Sequence, residues 1–455
     1  MNKKQLILIS LLGLFTVNVV AQQIERPNII FILTDDQRWD AMGFAGNEII
    51  HTPEMDRLAK EGCYFSKAFV TTPICAASRA SIMTGLYERT HGFTFGTPPL
   101  AQKYLAKSYP ALLKQNGYST GFIGKFGMSF QDKADTSLFD FYQRPGEQGG
   151  ATTYYRLTPD GERHRHLSTI IGDYSLEFLE QKQNEKSPFC LSISFHAPHA
   201  EDGDPRQYIY PQDLDSLYDD IEMPWPIMAT DADFMAQPQY VREGLNRIRW
   251  YWRFDSPEKY QEKLKGYYRM ISGVDRELGR IRSKLNELDL AENTIIILMG
   301  DNGYFLGERQ FAGKWLMYDN SLRVPLIVYD PKSKSSTTDF MALNIDIAPT
   351  LLDYAGVTLP ESIAGQSVKK LVQGKGQLDR DYFMGEHLFN HPKIPKSEGI
   401  RTKRFKYFRY IDHPEREEFY DLEKDPTEAE NLIDDPNHQV EIARLKELLD
   451  EELKH

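Results

Sequence analysis

Two acid pairs stand at the ends of apolar runs. Asp35 and Asp36 close NIIFILTDDQ, and Asp301 and Asn302 close NTIIILMGDNG. Each run is continuously apolar rather than alternating, which reads as a parallel strand buried on both faces. In an open α/β sheet, ligands bind beyond the C-terminal ends of the strands, so these four side chains are expected to converge. Four hard oxygen-bearing groups in one place repel one another unless a cation lies among them, and Ca²⁺ or Mg²⁺ is the natural choice. Taken singly, a DD or a DN is as readily a solvated turn or a helix cap.

Cationic and nucleophilic residues recur at similar places. Lys125 follows the short run TGFIG, His196 and His199 lie in FHAPH, and Lys314 lies in AGKW. As a zinc site the two histidines are poor, since no cysteine or third histidine stands at ligand spacing nearby. Cys75 sits in PICAASRASIMTGLY, where a loop is expected to run into a helix. A helix N-terminus offers free N–H groups and a positive dipole end to an oxyanion. Arg79, one turn in, adds a fixed cation. By itself, a cysteine among small residues is most often a packed thiol.

The surrounding pattern supplies the elements that must hold these groups. Further apolar strands are read at 119–127, 188–199 and 323–331. Helices are read between them: one after Thr52 as N-cap, with Pro53 in its first turn and Gly62 as its stop, others in YPALLKQNG and IDIAPTLLDYAG, and a long amphipathic one from Lys259 to Leu290. Strands alternating with helices predict an α/β fold with a doubly wound, mostly parallel sheet. Residues 200–258, rich in Pro, Asp and Trp, read as a long insertion without periodicity that shapes a pocket. After about residue 372 short antiparallel strands and a terminal helix predict a smaller C-terminal α+β domain.

The whole chain narrows the function classes. Its 455 residues exceed one small core, and 41% hydrophobic with 26% charged residues is ordinary globular composition. A net charge of -12 argues against nucleic acid as a partner, so an anionic ligand needs a local cationic pocket. Residues 1–21 read as a secretory signal peptide: a basic MNKK, an apolar LILISLLGLF, then Val19 and Ala21 before a cut. A periplasmic or secreted protein without stable membrane insertion follows. Three cysteines, Cys63, Cys75 and Cys190, allow at most one pair and leave a spare thiol.

The stretch CAASRASIMTGLY resembles the signature of the type I, formylglycine-dependent sulfatases, of the alkaline-phosphatase-like superfamily. NIIFILTDDQ, TGFIGKFG, FHAPH, ILMGDNG, GKW and LRVPLIVYDP fall in that family's order and rough spacing. The resemblance covers residues 25–372 in scattered blocks. It implies a sulfatase catalytic domain over 22–372 and a C-terminal subdomain over 373–455. It further implies that a maturation enzyme oxidises Cys75 to formylglycine. The hydrated aldehyde would attack sulfur with one hydroxyl and expel sulfate with the other, a nucleophile that releases itself. By matched position, Asp35, Asp36, Asp301 and Asn302 resemble the Ca²⁺ ligands. Arg79 and Lys125 would hold the diol, and Lys314 and His196 would contact the sulfate and bridging oxygen, with His196 as general acid. His199 is expected in the substrate pocket, and His91 either there or in a capping or core role.

Two positions depart from the family pattern. Gly127 stands where a histidine is common two residues after the lysine, which leaves the base of sulfate release unassigned. Ala77 replaces a frequent proline, as the radical maturation systems of anaerobic bacteria accept. A secreted enzyme with the aromatic segments MPWPI, IRWYWRF and EHLFNHP suits a sulfated carbohydrate, because rings stack on sugar faces. Two other readings remain: a formylglycine-dependent phosphodiesterase or phosphonate hydrolase, and a glycan-binding protein that has lost turnover.

Overall fold

The computed structural model describes residues 26–131, 135–146, 154–157 and 164–454. The expected signal peptide lies outside them. An eight-stranded sheet forms the centre. Its strands are β1 (Asn28–Thr34), β2 (Cys63–Phe65), β3 (Ser119–Gly124), β4 (Phe141–Gln143), β5 (Phe189–Ser194), β6 (Thr294–Gly300), β7 (Leu326–Tyr329) and β8 (Ser336–Thr338). Their spatial order is β8-β2-β7-β6-β1-β5-β3-β4. Pairing is parallel except where β7 runs antiparallel to both β2 and β6.

The apolar runs explain this placement. All seven residues of β1 are buried. Its side chains alternate between two cores, as a pleated strand requires. Ile30 and Ile32 pack with Ile171, Phe178, Ile271 and Val274 on one face. Ile29, Phe31 and Leu33 pack with Ile82, Met83 and Leu351 on the other. The first set comes from the helices Leu167–Lys182 and Pro257–Glu287, the second from Cys75–Thr84 and Ile347–Tyr354. Helices therefore cover both faces. Each large aliphatic side chain so enclosed contributes roughly 1.5–3 kcal/mol relative to exposure.

The C-terminal part is a four-stranded antiparallel sheet with the helix Gln439–Glu452 packed on it. Its strands are β9 (Tyr382–His387), β10 (Ser397–Thr402), β11 (Phe405–Tyr410) and β12 (His413–Asp421). Buried charges tie it to the larger part: Asp319 accepts from Lys406 at 2.5 Å and from Arg401 at 3.1 Å.

Three local expectations change. The insertion is not free of periodic structure: it holds the short helices Asp231–Met235, Gln239–Arg242 and Leu245–Arg253. Its last helix, LNRIRWYWR, buries Asn246, Arg249 and Arg253 and leaves its apolar side chains partly exposed, so its buried face is not the apolar one. Thr52 precedes the Pro53–Glu61 helix, but its hydroxyl is engaged by Gly43 N and Asp56 rather than by the helix's free N–H groups. Cys63, Cys75 and Cys190 are all free and buried, so the one pair that the count allowed does not form.

Candidate active site

Strand register builds the site. β1 and β6 end level, with Thr34 opposite Gly300, so Asp35 and Asp301 emerge side by side. Asp301 N donates to Thr34 O at 2.9 Å, and Asp36 N donates to the Asp301 carboxylate at 3.1 Å. On the other flank β5 ends beside β1, and Phe195 N donates to Leu33 O. β3 ends beside β5, and Lys125 N donates to Ser194 O at 2.8 Å. Gly124 makes that last approach possible: a Cβ there would lie 1.9 Å from Ser194 O.

Asp36 has φ 68°, in the left-handed region that an aspartate tolerates better than most residues. Its carbonyl accepts from the Tyr267 hydroxyl at 2.7 Å, and that hydroxyl in turn accepts from Arg38 N at 3.0 Å. This clamp holds the turn and aims the Asp36 carboxylate at Asn302, whose Nδ2 donates to it at 2.6 Å. The four oxygen-bearing residues of the sequence reading are thus brought together, and Asp35, Asp36, Asp301 and Asn302 are all essentially unexposed.

Cations enter from separate elements. Arg79, one turn into the Cys75–Thr84 helix, donates to Asp301 through Nε at 2.9 Å, and its Nη2 forms an ion pair with the same carboxylate oxygen at 2.8 Å. It also reaches the Lys125 carbonyl at 2.8 Å and the Ser194 hydroxyl. Lys125 pairs with Asp35, and Lys314 pairs with Asp36. Three carboxylates thus face three cations. Burial opposes ionisation of Asp35, yet Lys125, His199, Arg79 and Lys314 together hold it far below the usual carboxylate range. Asp301 moves the other way: burial and the Asp35 charge push it up to about 6.

Cys75 is the first residue of its helix, after Ile74 in extended conformation. Its sulfur and one carboxylate oxygen each of Asp35 and Asp301 lie within 4.8 Å of one another. Burial pushes the thiol pKa up, despite Lys314 and Lys125 nearby. The unmodified thiol is therefore a weak nucleophile here. Its loop is anchored on both sides. Trp315 N donates to Pro73 O at 3.1 Å, next to Lys314. The Thr72 hydroxyl donates to buried Glu88 at 2.7 Å, and Leu388 N, just past β9, reaches the same carboxylate at 3.4 Å.

The histidines separate. His199 Nε2 lies 3.8 Å from Asp36, and its side chain is 28% exposed. His196 is 2% exposed, and neither ring nitrogen has a hydrogen-bond partner among the described residues. Burial, then the Lys125 charge, depresses its pKa, and the same two causes bring that of His199 down to about 4. His199 is the less enclosed of the two rings, while His196 is as enclosed as Lys314. His91 is not brought to the cluster's carboxylates. It is buried where its helix meets the next: Nε2 meets the Ser81 hydroxyl at 3.0 Å, and Nδ1 accepts from Phe93 N at 3.1 Å. Both ring nitrogens are used, which fits the core role and not the substrate contact. At Gly127, φ is 67° and a Cβ would lie 3.0 Å from Arg79 Cδ. Ser194, Tyr267 and Tyr154, whose hydroxyl donates to His199 O at 2.6 Å, were not legible as site residues. No motif marks them, and they act through long-range hydrogen bonds to backbone or to Arg79.

The donor set suits a divalent cation of the Ca²⁺ or Mg²⁺ type. It consists of hard oxygens, and two of them, Asp35 Oδ1 and Asn302 Oδ1, are buried without a hydrogen-bond partner among the described residues.

Known proteins agree with this geometry. Residues 27–357 match the family model described as Sulfatase, and residues 307–455 match N-sulphoglucosamine sulphohydrolase, C-terminal. The chain is 29% identical to N-acetylglucosamine-6-O-sulfatase of Bacteroides thetaiotaomicron, over 96% of this chain and 88% of that protein. It is also 29% identical to an arylsulfatase of Clostridium perfringens, over 94% of this chain and 95% of that one. The structure of BT4656 in complex with D-glucosamine-2-N,6-O-disulfate superposes with a TM-score of 0.78 at 26% identity, over 94% of this chain and 98% of that one. A phosphonate monoester hydrolase from Silicibacter pomeroyi shares the fold, with a TM-score of 0.79 at 21% identity over 94% of this chain and 95% of that one. Strand-end carboxylates, the cysteine-led helix and the match over 27–357 converge on one conclusion: the chain belongs to the sulfatase family of the alkaline-phosphatase-like superfamily and is a sulfuric ester hydrolase.

Proposed function

We propose that this sulfatase removes sulfate from a sulfated carbohydrate, with Cys75 converted to formylglycine and a Ca²⁺ ion among Asp35, Asp36, Asp301 and Asn302. The observation that carries the reading is the meeting of the Cys75 side chain with Asp35 and Asp301 inside one 4.8 Å sphere. Relatives named for N-acetylglucosamine-6-O-sulfate and ulvan support the carbohydrate class. The cation would polarise a sulfate oxygen and favour an ionised nucleophile. Hydrated formylglycine would supply one hydroxyl to sulfur and a second to expel sulfate.

The chain's own residues do the rest. Arg79, fixed by Asp301 and Ser194, holds its guanidinium beside residue 75 and stabilises charge on the nucleophile. Lys125 and Lys314 flank the carboxylates and neutralise charge developing on the sulfate oxygens. His199, the less enclosed imidazole of the pair, faces the departing sugar oxygen; burial and Lys125 hold its pKa down to about 4, so it donates a proton only once the anionic ester offsets the lysine charge. No side chain at position 127 reaches the site. Buried neighbours exclude water from the carboxylates and strengthen each of these interactions.

The domain limits 22–372 and 373–455, and export through residues 1–21 to the periplasm or beyond, belong to the same proposal. No described helix is long and apolar enough to cross a membrane. The test has two parts. Mass spectrometry of the peptide carrying Cys75, from the native host, should show the aldehyde. Aryl esters and a panel of sulfated sugars should release sulfate. An unmodified thiol with tight glycan binding would support a binder instead. Faster release from aryl phosphate diesters or phosphonates than from sulfates would support a phosphonate hydrolase.

A further inference from the structure

The side chains of the site differ in exposure. Side chains of Asp35 and Asp301 are 0% exposed and Arg79 is 2%, then Lys125 is 16% and His199 28%. Three residues beyond His199, Asp202 is 35% exposed. Asp202 is close enough to His199 for the two charges to interact, so it stands beside the more open part of the site.

Asp202 is not a free acid on a loop. Arg249 pairs with one of its oxygens and Arg253 with the other. Both arginines lie on the Leu245–Arg253 helix, one turn apart, and are nearly or wholly buried. Arg253 also donates to the Tyr304 hydroxyl at 2.7 Å, two residues after Asn302. Arg249 lies 4.8 Å over the Trp315 ring, next to Lys314, and Asn246 on the same helix donates to the Lys314 carbonyl at 2.8 Å. The carboxylate is therefore held by groups braced against the segments that carry Asn302 and Lys314. Burial opposes its ionisation, but Arg249, Arg253 and then His199 keep its pKa below the ordinary value.

Resting on the sulfated-carbohydrate reading, we infer that Asp202, clamped by Arg249 and Arg253, is a specificity-determining carboxylate that accepts hydroxyl groups of the sugar next to the ester under attack. One carboxylate between two guanidiniums leaves the triad with net positive charge, so an anionic ester is not repelled. The part of the carboxylate turned to solvent retains lone pairs for sugar hydroxyls, which donate charge-assisted hydrogen bonds to it. Such a carboxylate favours a sugar that offers it a hydroxyl over an analogue that lacks one, because the analogue forgoes a charge-assisted bond.

The experiment uses the full-length matured enzyme, wild type and Asp202→Asn. The probes are 4-nitrophenyl sulfate, the best substrate from a panel of sulfated monosaccharides, and single-deoxy versions of that sugar. Asp202→Asn is expected to lower kcat/KM for the sugar about 10- to 100-fold more than for the aryl ester. One deoxy sugar should lose a similar factor with wild type and little more with the variant. An equal fall for sugar and aryl ester, with no such deoxy sugar, would mean that the triad only braces the insertion, and would overturn the inference while leaving the sulfatase reading intact. Failure of wild type on every sulfate ester would overturn both. Thermal melting of the variant within a few degrees of wild type confirms that the comparison is made on folded protein.

Discussion

Replacing Glu88 by glutamine isolates a single buried acid beneath the Cys75 loop. The carboxyl is fully unexposed and faces Thr72, Leu388 N, Glu386 and Arg89, with Arg89 committed to Glu386. Burial, then the Glu386 charge, pushes its pKa from 4.5 up to about 8. In the unfolded chain the proton leaves near 4.5; in the folded protein it stays until about 8. Between those values the folded state binds more protons. Stability from this group is complete below 4.5 and falls as pH rises to about 8, by about 1.4 kcal/mol per unit. Over the window the loss reaches about 5 kcal/mol. The amide that replaces the carboxyl has no proton to lose, and its oxygen keeps the bonds from Thr72 and Leu388. Melting temperatures of wild type and Glu88→Gln, measured from pH 4.5 to 9, should coincide within a degree or two at the acid end. They should then diverge, with the variant about 5 °C higher near pH 8. Asp275, pushed to about 7 by burial, titrates alike in both proteins and cancels. Parallel curves, or a variant that falls further below wild type as pH rises, would refute the reasoning.

Cys75→Ala should abolish sulfate release and shift the melting temperature little, because a small side chain at a helix N-terminus is removed; wild-type turnover in that variant would remove the nucleophile. Asp301→Ala should lose bound Ca²⁺, read by elemental analysis, and activity together. It should also cost about 3–5 kcal/mol in chemical denaturation, since Arg79 stays buried without its principal partner. His199→Ala should slow esters of alkyl alcohols far more than those of activated phenols, whereas His196→Ala should chiefly lower stability; a rate profile with the opposite split would return the acid to His196.

Much of the frame was legible because it rests on burial. NIIFILT and TIIILMG are apolar at nearly every position, and only a strand covered on both faces tolerates that. The convergence of Asp35 with Asp301 followed from the rule about strand ends, and equal strand lengths in register made it literal. What escaped was direction. FHAPH places two histidines three residues apart, and the sequence does not say which ring turns to solvent. That is decided by how Tyr154 holds the loop through both carbonyls. Of the two roles open to His91 the structure favours the core one, because Ser81 is brought against its ring when the chain turns back after the Cys75–Thr84 helix. The insertion helix Leu245–Arg253 was hidden because its buried face is built from arginines and an asparagine, which no hydrophobic pattern marks.

All ten positions of the Cys75–Thr84 helix are buried, and residue 75 itself is 5% exposed. Another protein cannot grip this stretch once the sheet has formed around it. If Cys75 is converted as proposed, the enzyme that rewrites it would have to meet the segment before the sheet closes over it. Biogenesis would then be a race between collapse of the β1–β6 layer and oxidation, and the yield of working protein in a foreign host would depend on how long this peptide stays open.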